Sequence, residues 1–449
     1  MVEGMEAFDY WLDDDTQSEI LTTQDLGRTA PALFVGLVAD APHTPPARIS
    51  LAEVDRVDIV RGPHRRVDLD GRVARVSLAD LRLSRSHARL TRMGATWLIE
   101  DLQSTNGTRV GNVRIERVAL CDRAVVAVGH TMLVYREHGG ERPTLLDMPS
   151  SITPELVTLS PTLVRRFADL PRAARSGTCI EICGESGTGK ELVARAIHEL
   201  SGLPGNFVAV NCGALPSSLV EGELFGHRKG AYTGASNERV GLVRSADGGT
   251  LFLDEVAELP ATSQAALLRV LQEGEVVPLG ADRVVKVDVR IVTATNRDLD
   301  AEVAAGRFRA DLRARLLGVH VRLPPLRDRS EDLAHIIATL LDRVAPKRDL
   351  AFSLDAALAL YGHDWPLNIR ELERAIGAAA AVAVDRIDSH HLPAVLTRRA
   401  PPQHALPERL VSAIAQHRGN LAAGARELGK DRTQIRRWIK RFGLSRTPS

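Results

Sequence analysis

The stretch CIEICGESGTGKELVARAIHEL, residues 179–200, decides the fold of the central part of the chain. A short apolar run, Cys179–Cys183, leads into G-x-x-x-x-G-K from Gly184 to Lys190, and a segment of helical periodicity follows. The predicted order is strand, loop, helix. Glycines let backbone N–H groups turn inward around phosphate oxygens at a helix N-terminus, whose dipole favours anions. Lys190 adds a point charge for the β- and γ-phosphates. Gly184, Glu185, Ser186, Gly187, Thr188, Gly189 and Lys190 are thus the expected phosphate loop, with Glu191 standing where a magnesium-binding Ser or Thr is usual.

Outward from this loop come the apolar runs FVAVNC, TLFLDEV and VRIVTATN. They are continuous rather than alternating, as parallel strands buried on both faces require. Residues 153–330 therefore read as an α/β domain and 331–396, Ala-rich and periodic, as a helical subdomain. The run TLFLDE ends in two carboxylates, which suits Asp254 for Mg2+ and Glu255 for polarising an attacking water. ATP hydrolysis is the expected chemistry.

Length and composition bound the rest. The chain of 449 residues has room for two to four domains. No apolar run is long enough to span a bilayer, and the start is acidic (Asp13, Asp14, Asp15), unlike a signal peptide. A cytoplasmic protein with no membrane partner is expected. Four cysteines are too few for a disulfide framework at this length, so they read as structural thiols. Charge is uneven: residues 405–449 carry ten Lys/Arg against three Asp/Glu, a common footprint of nucleic-acid binding.

Residues 1–48 read as an acidic, Pro-rich arm, and 49–137, with short β-branched runs between turn signals, as an all-β sandwich. Residues 138–152 and 397–406 read as linkers, and 407–449 as a small helical domain. The expected fold is multidomain: an all-β sandwich, an α/β phosphate-loop NTPase with a helical subdomain, and an all-α helix-turn-helix.

Across residues 153–396 the phosphate loop, TLFLDE and above all ELFGHRKGAYTGA (Glu223–Ala235) resemble the AAA+ domain of bacterial enhancer-binding proteins, the activators of sigma-54 RNA polymerase. In that family Glu follows the loop lysine, so Glu191 becomes expected. The resemblance implies that Asn211 restrains the catalytic Glu255, that Thr295 and Asn296 sense nucleotide, and that Arg309 and Arg315 act on a neighbouring subunit's ATP. Arg370 in WPLNIRELE matches the second sensor, with Leu367 where glycine is usual. Arginines supplied in trans imply a ring, usually a hexamer. The loop Gly230, Ala231, Tyr232, Thr233, Gly234 and Ala235 matches the segment that contacts sigma-54, with Tyr232 in place of the usual Phe.

LSRSHARL and WLIEDLQSTNGTRVGN (within 83–112) resemble a forkhead-associated (FHA) domain, a binder of phosphothreonine peptides. Ser84, Arg85, Thr105 and Asn106 fall on its peptide-contacting positions, whose donors suit a dianionic phosphate. His87 reads as structural. The remaining phosphate arginine is Arg61, at the end of an early strand, or Arg72 by spacing. The phosphothreonine would come from a partner protein or from the chain's own arm, where Thr22 and Thr23 lie.

Residues 407–449 resemble the Fis-type helix-turn-helix of the same activators. Ile435, Trp438, Ile439 and Phe442 form one buried face, which leaves Arg432, Thr433, Gln434, Arg436 and Arg437 for the major groove of an upstream DNA site and Lys440 for phosphates. The implied function is a sigma-54-dependent activator in which ATP hydrolysis drives promoter opening. Another AAA+ remodelling enzyme and a non-enzymatic DNA-binding repressor are the alternatives.

Overall fold

The structure is a computed structural model that describes residues 29–140, 145–231 and 237–397. The predicted helix-turn-helix, the arm threonines Thr22 and Thr23, and Tyr232, Thr233, Gly234 and Ala235 lie outside the described residues. No helix among the described residues is long and apolar enough to cross a membrane, and their four cysteines are free thiols.

The N-terminal unit is a two-sheet sandwich. Its strands are β1 (Ala32–Val38), β2 (Ala47–Ser50), β3 (Arg56–Arg61), β4 (Arg66–Asp70), β5 (Val73–Leu78), β6 (Ala88–Met93), β7 (Thr96–Asp101), β8 (Thr108–Val110), β9 (Val113–Ile115), β10 (Arg117–Leu120), β11 (Val125–Val128), β12 (Thr131–Arg136) and β13 (Leu146–Asp147). One sheet runs β13-β2-β1-β12-β11-β8-β9 and the other β10-β7-β6-β3-β5-β4. Trp97, Tyr135, Ile49 and Ile59 fill the space between them.

Two expectations are corrected here. The stretch predicted as an arm supplies β1 and the start of β2, with β1 inside the larger sheet, and the predicted linker 138–152 supplies β13, which pairs with β2. The physical reason is that β1 is covered on both faces. Leu33 and Val35 point into the sandwich, whereas Ala32 and Phe34 point out onto the helical subdomain. A strand buried on both sides shows no polar–apolar alternation, so its seven residues carry no period-two signal.

After β14 (Ser150–Ser151) and β15 (Val157–Thr158) comes the α/β core. Its strands are β16 (Ile180–Cys183), β17 (Phe207–Asn211), β20 (Thr250–Asp254), β23 (Arg290–Thr295) and β24 (Val319–Arg322), with the short hairpins β18 (Gly226–His227) with β19 (Arg239–Val240) and β21 (Glu275–Val276) with β22 (Val285–Lys286) between them. The five long strands are parallel in the order β17-β20-β23-β16-β24. The four runs that read as buried parallel strands are β16, β17, β20 and β23.

The helical subdomain contains Leu333–Val344, Leu354–Gly362 and Asn368–Val382. Its core is continuous with the sandwich: Phe34, Leu37, Met132 and Val134 pack with Ile337, Leu341, Leu360 and Trp365. Tyr361 Oη accepts from Leu37 N at 3.1 Å in this interface, and Phe352 N donates to Ala39 O at 2.7 Å. A Cβ on Gly36 would stand 2.5 Å from Tyr361 Oη, so glycine is what allows the approach.

Candidate functional site

Strand register assembles the nucleotide site. Cys183 lies opposite Thr295, and Asn211 opposite Asp254, so the ends of β16, β23, β20 and β17 converge at the carboxyl edge of the sheet. Ligands bind in open parallel sheets at that edge. Gly187 and Gly189 hold φ of 79° and 100°, a left-handed region that glycine enters without strain. Gly189 then caps the helix Lys190–Ser201.

Lys190 is buried, and its Nζ donates to Gly184 O at 3.0 Å and Glu185 O at 3.3 Å. Burial lowers its pKa, and the charges of Asp254 and Glu255 oppose that shift. The lysine therefore stands within the field of both carboxylates. Asp254 Oδ1 accepts from Glu255 N at 3.0 Å. Glu255 holds φ of 54°, a conformation that costs a non-glycine residue about 1–3 kcal/mol and clusters at functional sites. Asn211 Oδ1 accepts from Gly213 N and Ala214 N at 2.9 and 3.0 Å. A Cβ on Gly213 would meet both Glu255 Oε2 (2.4 Å) and Asn211 Oδ1 (3.4 Å), so the two side chains border the same point.

The helical subdomain closes over the loop. Arg370 Nη1 donates to Ser186 Oγ at 2.8 Å, Ile369 N donates to Gly187 O at 2.9 Å, and Asn368 Nδ2 donates to Glu185 Oε2 and Ser186 O. Among the predicted loop residues, Thr188 is buried and bonds Glu185 O at 2.8 Å. Glu191 faces outward and pairs with Arg195 at 2.6 Å.

Thr295 and Asn296, the predicted sensing pair, lie at the end of β23. Thr295 is fully buried, and its hydroxyl accepts from Arg297 N at 2.9 Å, while Asn296 is exposed. Arg309 pairs with Asp311 (3.0 and 2.7 Å) and Arg315 with Leu271 O (3.2 Å); both are exposed. Gly230, with φ of 83°, and Ala231 follow β18, and just before them Arg228 N donates to Leu279 O at 3.0 Å.

A second cleft lies on the sandwich, with a volume of about 350 Å³, and Arg61, Ser84, Arg85, Thr105 and Asn106 all line it together with Leu81. Ser84 Oγ accepts from Thr105 N at 3.0 Å, and Asn106 Nδ2 donates to Arg82 O at 2.6 Å, so the two loops brace each other. Fully buried His87 accepts from Ser84 N through Nδ1 (3.1 Å) and donates through Nε2 to Gly107 O (3.3 Å), the structural role expected of it. Burial lowers its pKa. Arg72 is elsewhere. It pairs with Asp55 at 2.8 Å, beside the Arg56↔Val73 end of β3 and β5, whereas Arg61 is at the Leu78 end. Five residues of strand separate the ends by roughly 16 Å.

Sequence reasoning missed Asn368, Arg327 and Arg329, which hold the phosphate loop from outside. Arg327 grips Glu185 with bonds of 2.9 and 2.6 Å, and Arg329 donates to Thr188 O at 2.7 Å. The charged run RDRSED after Pro325 was the available signal, but charge alone does not reveal which way each side chain faces.

Comparison with known proteins gives three matching families: the sigma-54 interaction domain over residues 156–322, the AAA+ ATPase lid domain over 327–408, and the FHA domain over 65–129. The hydrogenase transcriptional regulatory protein HoxA of Cupriavidus necator is 44% identical over 61% of this chain and 62% of its own length. The anaerobic nitric oxide reductase transcription regulator NorR of Citrobacter koseri is 42% identical over 65% of this chain and 63% of its own. The chain thus spans about six tenths of the length of these curated relatives. Crystalline NtrX from Brucella abortus in complex with ADP superposes with a TM-score of 0.51 at 33% identity, over 64% of this chain and 70% of that one.

Proposed function

The chain belongs to the family built around the sigma-54 interaction domain, and from that premise we propose that it is an ATP-driven activator of sigma-54 RNA polymerase governed by phosphothreonine recognition. One observation carries the reading. Lys190, Asp254, Glu255 and Arg370 converge on one phosphate loop inside the domain that matches the sigma-54 interaction family.

Lys190 and the loop N–H groups hold the phosphates of ATP, and Arg370 brings the helical subdomain onto them. Asp254, a partly exposed carboxylate at the end of β20, is the donor suited to Mg2+, a hard cation that takes oxygen ligands. When bound, that ion neutralises phosphate charge. Glu255 orients the attacking water, with Asn211 positioned to restrain it. Phosphoryl transfer depends on positioning and charge stabilisation. Exposed Arg309 and Arg315 suit arginines delivered to a neighbouring subunit, so the active species is a homo-oligomeric ring, a hexamer by the family's habit.

The segment Gly230 to Ala235 meets sigma-54. Its motion with nucleotide state converts closed promoter complexes to open ones. The cleft of Arg61, Ser84, Arg85, Thr105 and Asn106 takes the phosphothreonine of a partner or of the chain's own arm. The basic tail anchors the ring to upstream DNA through Arg432, Thr433, Gln434, Arg436, Arg437 and Lys440. The protein acts in the cytoplasm.

The test is open-complex formation by sigma-54 polymerase on a promoter carrying the upstream site, with ATP. Wild type is expected to open the DNA, Lys190→Ala to lose ATP turnover, and Thr233→Ala to hydrolyse ATP without opening. A wild type that hydrolyses ATP cooperatively yet opens no such promoter would assign the motor to another remodelling reaction.

A further inference from the structure

The short segment Leu326–Asp332 touches both the sandwich and the phosphate loop. On the sandwich side, Arg136 at the end of β12 donates through Nη1 to Glu331 Oε2 at 2.6 Å and to Asp328 O at 3.1 Å. Arg123 donates to Asp328 Oδ1 at 2.6 Å. On the other side, Arg327 holds Glu185 and Arg329 holds Thr188 O. Charged side chains along this segment thus face opposite ways: Asp328 and Glu331 to the sandwich, Arg327 and Arg329 to the loop.

Burial makes the connection stiff. Glu331 is fully buried and Arg329 is 7% exposed, so neither charge can turn to water if its partner is lost. Glu331 bonds Arg136, and two residues before it in the same turn Arg329 bonds Thr188 O. A guanidinium of the sandwich and a guanidinium that holds the phosphate loop are thus tied to one short turn.

We propose that Arg136 is a positioning residue for the nucleotide site: by fixing Glu331 it fixes the turn from which Arg327 and Arg329 shape the phosphate loop. The proposal rests on the nucleotide-binding reading above. Without Arg136, buried Glu331 loses its bonded cation and Asp328 O a donor, so the turn that carries Arg327 and Arg329 is no longer held against Glu185 and Thr188 O. The loop then presents its N–H groups less well to phosphate. Nucleotide affinity falls, and the chemical step at Glu255 is little changed.

ADP binding and ATPase kinetics of the full chain test this, using Arg136→Met, Arg136→Lys, Arg123→Ser and Tyr361→Phe. Arg136→Met is expected to weaken ADP on the order of fivefold or more and to raise KM with a much smaller change in kcat. Arg136→Lys keeps a cation on Glu331 and recovers most of the affinity. Arg123→Ser alters a half-exposed side chain that a folding defect would not follow, and gives a smaller loss in the same direction. Tyr361→Phe loosens the docking without touching the charged turn and leaves ADP affinity near wild type.

Unchanged ADP affinity in both Arg136→Met and Arg123→Ser, or an equal loss in Tyr361→Phe, would overturn the proposal. A wild-type chain that binds no ADP removes the nucleotide reading itself, and this inference with it.

Discussion

The contact of Gly36 with Tyr361 lends itself to a double-mutant cycle whose sign follows from geometry. Tyr361→Phe removes the acceptor of Leu37 N and strands a buried donor, which costs about 1–3 kcal/mol. Gly36→Ala sets a methyl 2.5 Å from Tyr361 Oη and 3.2 Å from Met132 O. Overpacking of this kind costs roughly 1–3 kcal/mol. A smaller gain of roughly 0.4–1 kcal/mol from the stiffer unfolded chain offsets part of it, because Gly36 does not occupy the left-handed region. In the double variant the hydroxyl is gone, and the methyl then meets nothing closer than Met132 O and the ring carbon Cζ at 3.4 Å. Most of the clash disappears, so the double variant should be more stable than the two single losses added together, by about 1–2 kcal/mol. Urea unfolding of the full chain, followed by tryptophan fluorescence, measures all four proteins. Strict additivity would mean that the sandwich and the helical subdomain are not docked through this contact in solution, and the shared core would fall with it.

Three further outcomes are expected. Glu255→Gln should retain nucleotide binding and lose turnover on the order of 10²-fold or more, read by single-turnover hydrolysis beside a binding titration. Arg61→Ala should weaken a phosphothreonine peptide roughly 10- to 100-fold through loss of a charge-assisted bond, whereas Arg72→Ala should not move it, as isothermal titration would report. Burial lowers the His87 pKa, so the folded sandwich keeps it neutral while the unfolded chain takes up a proton. That stability is complete above the free histidine value of about 6.5 and is lost as pH falls below it toward the folded value. Melting temperatures at pH 7.5 and 5.5 should therefore differ more for wild type than for His87→Gln.

Much of the nucleotide site was legible because its chemistry is local. The loop Gly184–Lys190 and the pair Asp254 and Glu255 need particular residue types within a few positions of one another, and a strand must precede each. Arg61 could be separated from Arg72 only with strand register in hand, since both are arginines near a strand in a sandwich. β1 escaped because alternation vanishes when both faces are covered, and the partner covering its outer face lies some three hundred residues along the chain, at Ile337 and Leu360. Arg327 and Arg329 were visible as charges, but their directions are set by a short turn that periodicity does not describe.

The double coverage of β1 bears on how this protein can be dissected. Cutting the chain after the sandwich would strip Ile337, Leu341 and Leu360 of their covering and present a fresh greasy patch to solvent, so the isolated remainder of the chain is expected to aggregate whatever its activity. The sandwich and the subdomain bearing Arg370 share one buried cluster, even though they match separate families.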